Sequence, residues 1–215
     1  FTDKPPVREM IYVYSKDPES FNHREVEKVL LQGGVMTANP SIDELESILG
    51  FKKQVILQGP PGTGKTHTAK RLAMQILGLD DSNFQEHRLC SDKENNDQTK
   101  PVWELIQFHQ NTTYDDFIRG AVPDPSTGSF SFEDKVLLNI AKWPHNKAVL
   151  IIDEINRANL SAVLGEMIYA LEYRGEGVES LYPGPDGDRT ILVPETLYII
   201  GTMNSADRSI ALMDV

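Results

Sequence analysis

The stretch Gly59-Pro60-Pro61-Gly62-Thr63-Gly64-Lys65-Thr66 constrains this chain more than any other, because it satisfies G-x-x-x-x-G-K-[ST] in full. Gln54-Val55-Ile56-Leu57-Gln58 before it is short and β-branched, and residues 66–77 after it are good helix formers, so the motif sits where a strand turns into a helix. Glycines at such a junction let backbone N–H groups close around a phosphate at a helix N-terminus. Lys65 then neutralises the β/γ oxygens, and the Thr66 hydroxyl is placed to ligate Mg²⁺. With the adjoining His67, these eight residues are the candidate nucleotide-binding set.

The rest of the chain fits an α/β fold around that loop. Residues 148–152 form a continuous apolar run, as expected of a strand buried on both faces and central in a parallel sheet. Residues 102–109 and 197–201 read as further strands. Ser41-Ile42-Asp43-Glu44 is a capping box that opens a short helix terminated by Gly50, and residues 114–118 predict another, closed by Gly120. Leu160, Val163, Leu164, Met167, Ile168 and Leu171 follow the spacing of one amphipathic helix. Turn-rich residues 122–128 beside Phe130-Ser131-Phe132, and Pro183-Gly184-Pro185-Asp186-Gly187, predict two inserted β-hairpins. Strands alternating with helices imply a mostly parallel sheet flanked by helices, with its ligand at the carboxyl ends of the strands. Residues 1–40, with a short amphipathic stretch around Val26, Val29 and Leu30, read as a linker or capping segment, and residues 41–215 as the nucleotide-binding core.

A phosphate cradle does not hydrolyse anything by itself. Phosphoryl transfer to water also needs a carboxylate that holds the metal and a group that activates the water. Asp153-Glu154 emerges directly from the apolar run, so Asp153 is the candidate metal residue and Glu154 the candidate base. Asn204, just past the strand at 197–201, is positioned to orient the water or touch the γ-phosphate.

Composition narrows the possible partners. With 21 Lys+Arg against 32 Asp+Glu the net charge is −11, and no basic run exceeds a pair, which argues against direct nucleic-acid binding by these residues. The single cysteine, Cys90, can form no intrachain disulfide and has no Cys/His cluster for zinc, which suits a cytoplasmic protein. His23, His67, His87, His109 and His145 are scattered, so none is expected to bind a metal. No apolar stretch is long enough to span a membrane, and a first residue of Phe1 suggests a fragment.

Three stretches make a family resemblance specific. They are Gln107-Phe108-His109-Gln110 with Tyr114-Asp115-Asp116-Phe117-Ile118, then Asp153-Glu154-Ile155-Asn156-Arg157-Ala158-Asn159-Leu160-Ser161, and Met203-Asn204-Ser205-Ala206-Asp207-Arg208-Ser209. Together with the phosphate loop they resemble the AAA+ superfamily, and within it the McrB-like NTPases of modification-dependent restriction systems, over about residues 54–215. The resemblance implies an AAA+ P-loop core, with Asn204 as the first-sensor residue and Asp207 as the second polar residue of the N-x-x-D signature. Arg157 and Arg208 are the arginines it implies for a role across a subunit boundary.

It further implies Mg²⁺, GTP as fuel with ATP as the alternative, and a homo-oligomeric ring, a hexamer, that activates a McrC-like nuclease subunit. DNA would be read by a domain outside this fragment, and the helical lid would lie beyond Val215. Asn204-x-x-Asp207 imitates the guanine reader of small GTPases, but in such a sheet this strand end faces the γ-phosphate, so GTP rests on the resemblance alone. A MoxR-like remodelling ATPase shares the loop and the Asp-Glu pair but should lack the stretch at 203–209. A nucleotide-gated scaffold should lack Glu154 or Asn204.

Overall fold

The computed structural model describes residues 41–89, 99–125, 128–143 and 147–204, together with the backbone of residues 9–11. Along the chain come β1 (Glu9–Ile11), α1 (Ile42–Lys52), β2 (Gln54–Gly59), α2 (Lys65–Leu77), β3 (Val102–Gln107) and α3 (Tyr114–Phe117). A hairpin of β4 (Arg119–Pro123) and β5 (Phe130–Asp134) leads to α4 (Val136–Ala141) and β6 (Ala148–Asp153). After a 3-10 turn at Ile155–Arg157 come α5 (Leu160–Leu164), α6 (Met167–Glu172), a hairpin of β7 (Val178–Glu179) and β8 (Thr190–Ile191), and finally β9 (Leu197–Asn204). Among the described residues no helix is long and apolar enough to cross a membrane.

Among the described residues five strands form one sheet in the order β1-β2-β9-β6-β3. The last four in that order are mutually parallel, and β1 joins antiparallel at the β2 edge, inside the segment read from sequence as linker or cap. Side chains alternate across the sheet, which is why the apolar runs are continuous. Val55, Leu57, Val149, Ile151 and Ile200 pack with α1 and α2 on one face. Ile56, Leu150, Ile152, Ile199 and Met203 pack with α3 to α6 on the other. The chain is therefore a three-layer α/β unit, and its middle strand is β9, not the run at 148–152, which lies one place nearer the β3 edge.

Two helix boundaries depart from the sequence expectation. The Ser41 box forms, with Glu44 N–H donating to Ser41 Oγ at 3.2 Å and Ser41 N–H to Glu44 Oε2 at 2.7 Å. Yet α1 passes through Gly50 and ends at Lys53, whose left-handed backbone (φ 62°) sends its N–H to Leu49 O and turns directly into β2. Burial of Leu45 and Leu49 outweighs the roughly 1 kcal/mol that a mid-helix glycine costs. Conversely, the single helix expected over 160–171 is broken at Gly165 (φ +50°), leaving Ile168 exposed.

Both hairpins form, and they are fastened to each other. Arg119, 1% exposed, donates to Asp134 Oδ1 across its own hairpin (2.7 Å) and to Tyr182 O in the other (2.8 Å). Phe132 stacks on Tyr182, with ring centroids 5.0 Å apart. A cleft of about 520 Å³ opens between them but shares no residue with the phosphate loop.

Tyr114 anchors the same region, its hydroxyl 2.5 Å from Glu166 Oε1 and 3.0 Å from Ser180 Oγ. Burial, reinforced by the bond to Glu166, pushes its phenol up from 10.0 to about 12. An acid whose pKa rises on folding contributes stability that is intact below the unfolded value and lost as pH climbs through the folded one. Tyr114→Phe should therefore flatten the fall in melting temperature between pH 10 and about 12, and an alkaline melting series on both proteins checks it.

Candidate nucleotide-binding site

The loop after β2 supplies the phosphate-facing backbone. Gly62 (φ +77°) and Gly64 (φ +82°) hold left-handed conformations that other residues adopt only with strain, and Gly64 is the N-cap of the 13-residue α2. Thr63 Oγ1 donates to Pro60 O at 2.9 Å and braces the turn. The positive end of α2 thus faces the loop, as anion binding requires. His67 lies on the exposed side of the first helical turn.

Lys65 is 7% exposed, and its ammonium donates to Gly59 O (2.9 Å), Pro60 O (2.8 Å) and Asn204 Oδ1 (2.8 Å). Burial pulls its pKa below the usual lysine value, while the charges of Glu154 and Asp153 draw it part of the way back. One cation thus stands beside two carboxylates, an arrangement suited to sharing its donors with an incoming polyphosphate.

The carboxylates sit where the strand order puts them. Asp153 ends β6, and its Oδ1 accepts from Thr66 Oγ1 at 2.8 Å and from Thr202 Oγ1 at 2.5 Å. Glu154 follows in a left-handed conformation (φ 55°, ψ 44°), which costs a non-glycine residue about 1–3 kcal/mol and turns its side chain away from the strand direction. Its Oε1 accepts from Asn204 Nδ2 at 2.5 Å, and its Oε2 lies 3.4 Å from Arg157 Nε. Asn204, 6% exposed at the end of the middle strand, touches Lys65 with its oxygen and Glu154 with its nitrogen.

Thr66, Asp153, Glu154, Asn204 and Lys65 therefore converge, as their types and spacing imply. Arg157 is present too, but it faces Glu154 of its own chain. Asp207 and Arg208 lie outside the described residues, as does Cys90. Two side chains had no role in the sequence reading: Thr202 was not marked at all, and Asn156 stood only as part of the stretch 153–161. Thr202 is 1% exposed and contacts both carboxylate residues, and Asn156 donates from Nδ2 to Asn204 O at 3.4 Å while its buried Oδ1 has no partner among the described residues. The signal for Thr202 was a hydroxyl interrupting an apolar strand two residues before Asn204.

Thr66 Oγ1 and Asp153 Oδ1 are hard oxygens on adjacent elements, a donor set suited to Mg²⁺, which binds through one or two protein groups plus phosphates and water. Among the described residues no three His, Cys, Asp or Glu side chains gather to form an all-protein metal cage.

The family profile of the AAA domain, dynein-related subfamily, matches residues 54–214. The chain is 39% identical over 182 residues to the Type IV methyl-directed restriction enzyme EcoKMcrB subunit of Escherichia coli (strain K12), an alignment covering 81% of this chain and 35% of that protein. It is 28% identical over 216 residues to the Type II restriction enzyme BsuMI component YdiS of Bacillus subtilis (strain 168), covering 81% and 56%. It thus spans about a third of the first relative and little more than half of the second. A solved chain from Cytophaga hutchinsonii ATCC 33406 is 17% identical with a TM-score of 0.43, over 76% of this chain and 38% of that chain, too slight a likeness to carry an argument.

Proposed function

Because the chain belongs to the AAA domain family, in its dynein-related subfamily, we propose that it is the Mg²⁺-dependent NTP-hydrolysing core of a McrB-like restriction motor. The observation that carries this reading is a run of hydrogen bonds from Thr66 to Asp153, Asp153 to Thr202, Thr202 to the Glu154 backbone, the Glu154 carboxylate to Asn204, and Asn204 to Lys65, which the Lys65–Thr66 peptide bond closes into a circuit. It joins the phosphate-facing lysine, the two oxygen donors suited to a metal and the candidate base, which are parts that phosphoryl transfer to water uses.

In this reading Lys65 and the N-terminal backbone of α2 bind the β- and γ-phosphates. Thr66 and Asp153 would hold Mg²⁺, which supplies neutralisation of the phosphate oxygens when bound. Asn204 orients the attacking water and Glu154 Oε takes its proton. The water oxygen bonds to the γ-phosphorus as the bond to the β-γ bridging oxygen breaks.

GTP in preference to ATP rests on the resemblance of residues 203–209 to the McrB-like signature. The restriction-system relatives support a partner nuclease subunit; that it is of the McrC kind, that the chain works in a homo-oligomeric ring, taken as a hexamer, and that DNA is read by a part of the protein outside these residues rest on the family resemblance. A cytoplasmic location is part of the same reading, supported by the cysteine usage, a single Cys90. Turnover of GTP against ATP by the intact protein, with and without that nuclease, tests the reading: GTP should turn over faster and the nuclease should raise the rate. ATP preference with no response to the nuclease would favour a MoxR-like remodelling ATPase.

A ring that completes its sites across subunit boundaries makes a further prediction about Arg157 and Arg208. Arg157 would have to leave Glu154 of its own chain to reach a neighbour, a small cost for a 3.4 Å contact made by an arginine that is 46% exposed. Mixing an Arg157→Ala, Arg208→Ala double mutant with Lys65→Ala should restore measurable turnover, since each subunit supplies what the other lacks. If mixed oligomers form and stay inactive, neither arginine acts across the boundary.

A further inference from the structure

Resting on that hydrolytic reading, we infer that Thr202 is a positioning residue, a single buried hydroxyl that sets the metal-facing carboxylate of Asp153 and the backbone turn of Glu154 together. Thr202 follows the last register pair between β6 and β9, Ile152 with Gly201, so it sits where β6 leaves the sheet to form the Asp-Glu pair. A hydroxyl has one proton to donate and lone pairs to accept with. Here the proton goes to Asp153 Oδ1 at 2.5 Å, and the oxygen receives the Glu154 N–H at 3.1 Å.

Both contacts have mechanical consequences. Asp153 Oδ1 is held from two sides, by Thr66 on α2 and by Thr202 on β9, which fixes the rotation of the carboxylate. Glu154 leaves the strand in a left-handed conformation that turns its N–H toward Thr202, and that bond keeps the amide paired in a buried place. The same turn brings the Glu154 carboxylate to Asn204. Loss of the hydroxyl would therefore remove one of the two supports of the metal-facing carboxylate and the backbone anchor of Glu154 at one stroke, while the phosphate loop, which Thr202 does not touch, stays as it is.

A buried threonine that merely satisfies its own hydroxyl would behave differently, and the contrast sets the experiment. In the intact protein, Thr202→Val keeps the volume and removes the hydroxyl, Thr202→Cys leaves a weak S–H donor, and Thr202→Ser keeps the hydroxyl. The readouts are Mn²⁺ affinity with a non-hydrolysable GTP analogue, followed by electron paramagnetic resonance, then kcat and KM, and the melting temperature. Partners that orient a metal ligand typically account for about 10- to 100-fold in metal affinity or activity, so Thr202→Val should weaken Mn²⁺ binding about tenfold and lower kcat about 10- to 100-fold while KM stays within about threefold. Thr202→Cys should fall between, and Thr202→Ser should match the parent.

Parent-like Mn²⁺ affinity and kcat in Thr202→Val would overturn the assignment. So would losses that follow melting temperature across the three variants instead of the hydroxyl. A parent that neither binds Mn²⁺ with the analogue nor hydrolyses nucleotide would instead bring down the hydrolytic reading, a result distinct from an active parent with an indifferent Thr202→Val.

Discussion

Glu154→Gln should bind nucleotide and Mg²⁺ as the parent does and hydrolyse about 10²- to 10⁴-fold more slowly, the usual cost of losing a general base. The substitution changes little else. A glutamine keeps an oxygen that can accept from Asn204 Nδ2, and the backbone N–H still reaches Thr202. The ion pair with Arg157 disappears, but that pair is partly exposed and contributes little. Single-turnover hydrolysis beside equilibrium binding of a fluorescent analogue separates the two effects. Near-normal turnover with normal binding would move the base to another residue.

Lys65→Ala should have the opposite signature, in which binding fails and the fold survives. Its ammonium is buried and makes three hydrogen bonds at the mouth of the phosphate loop. Truncating one partner of a buried, hydrogen-bonded charge pair costs about 2–5 kcal/mol, so triphosphate affinity should fall roughly 30-fold to several thousandfold. The domain itself loses less, because burial already disfavours this charge: the lowered pKa means that keeping Lys65 protonated in the folded state has a cost that the alanine variant escapes. Titration calorimetry with a non-hydrolysable triphosphate, alongside thermal melting, measures both. Equal affinity in mutant and parent would remove the phosphate-loop assignment.

The geometry of the candidate site was legible to the extent that it depends on strand ends. A glycine-rich turn between a strand and a helix, and a carboxylate pair leaving an apolar run, have few places to go in a parallel sheet, so Lys65, Thr66, Asp153 and Glu154 could be brought together from spacing alone. Strand order was not legible, because the runs at 148–152 and 197–201 are equally apolar and either could occupy the centre. The break at Gly165 was hidden because apolar spacing continues across it, and only a positive φ distinguishes the two short helices from one long one. The clamp of Arg119 between the hairpins joins residues far apart in the chain, and nothing local to Arg119 signals it. Arg157 shows the limit of motif transfer: its position was marked, but its contact with Glu154 depends on the 3-10 turn at Ile155–Arg157.

The placement of β9 also governs the order in which the protein can be made. β2 and β6 are not paired with each other; each pairs with β9, so Gln54 must wait for Ile199 and Leu150 for the same residue before the sheet can close. On a ribosome the phosphate loop and the Asp-Glu turn emerge early and remain on separate half-sheets, each presenting an unpaired edge, until the residues up to Asn204 have cleared the exit tunnel. Contacts of such long sequence separation close slowly. The two halves of the candidate site therefore cannot meet piecemeal: they come together only once synthesis has passed the last strand.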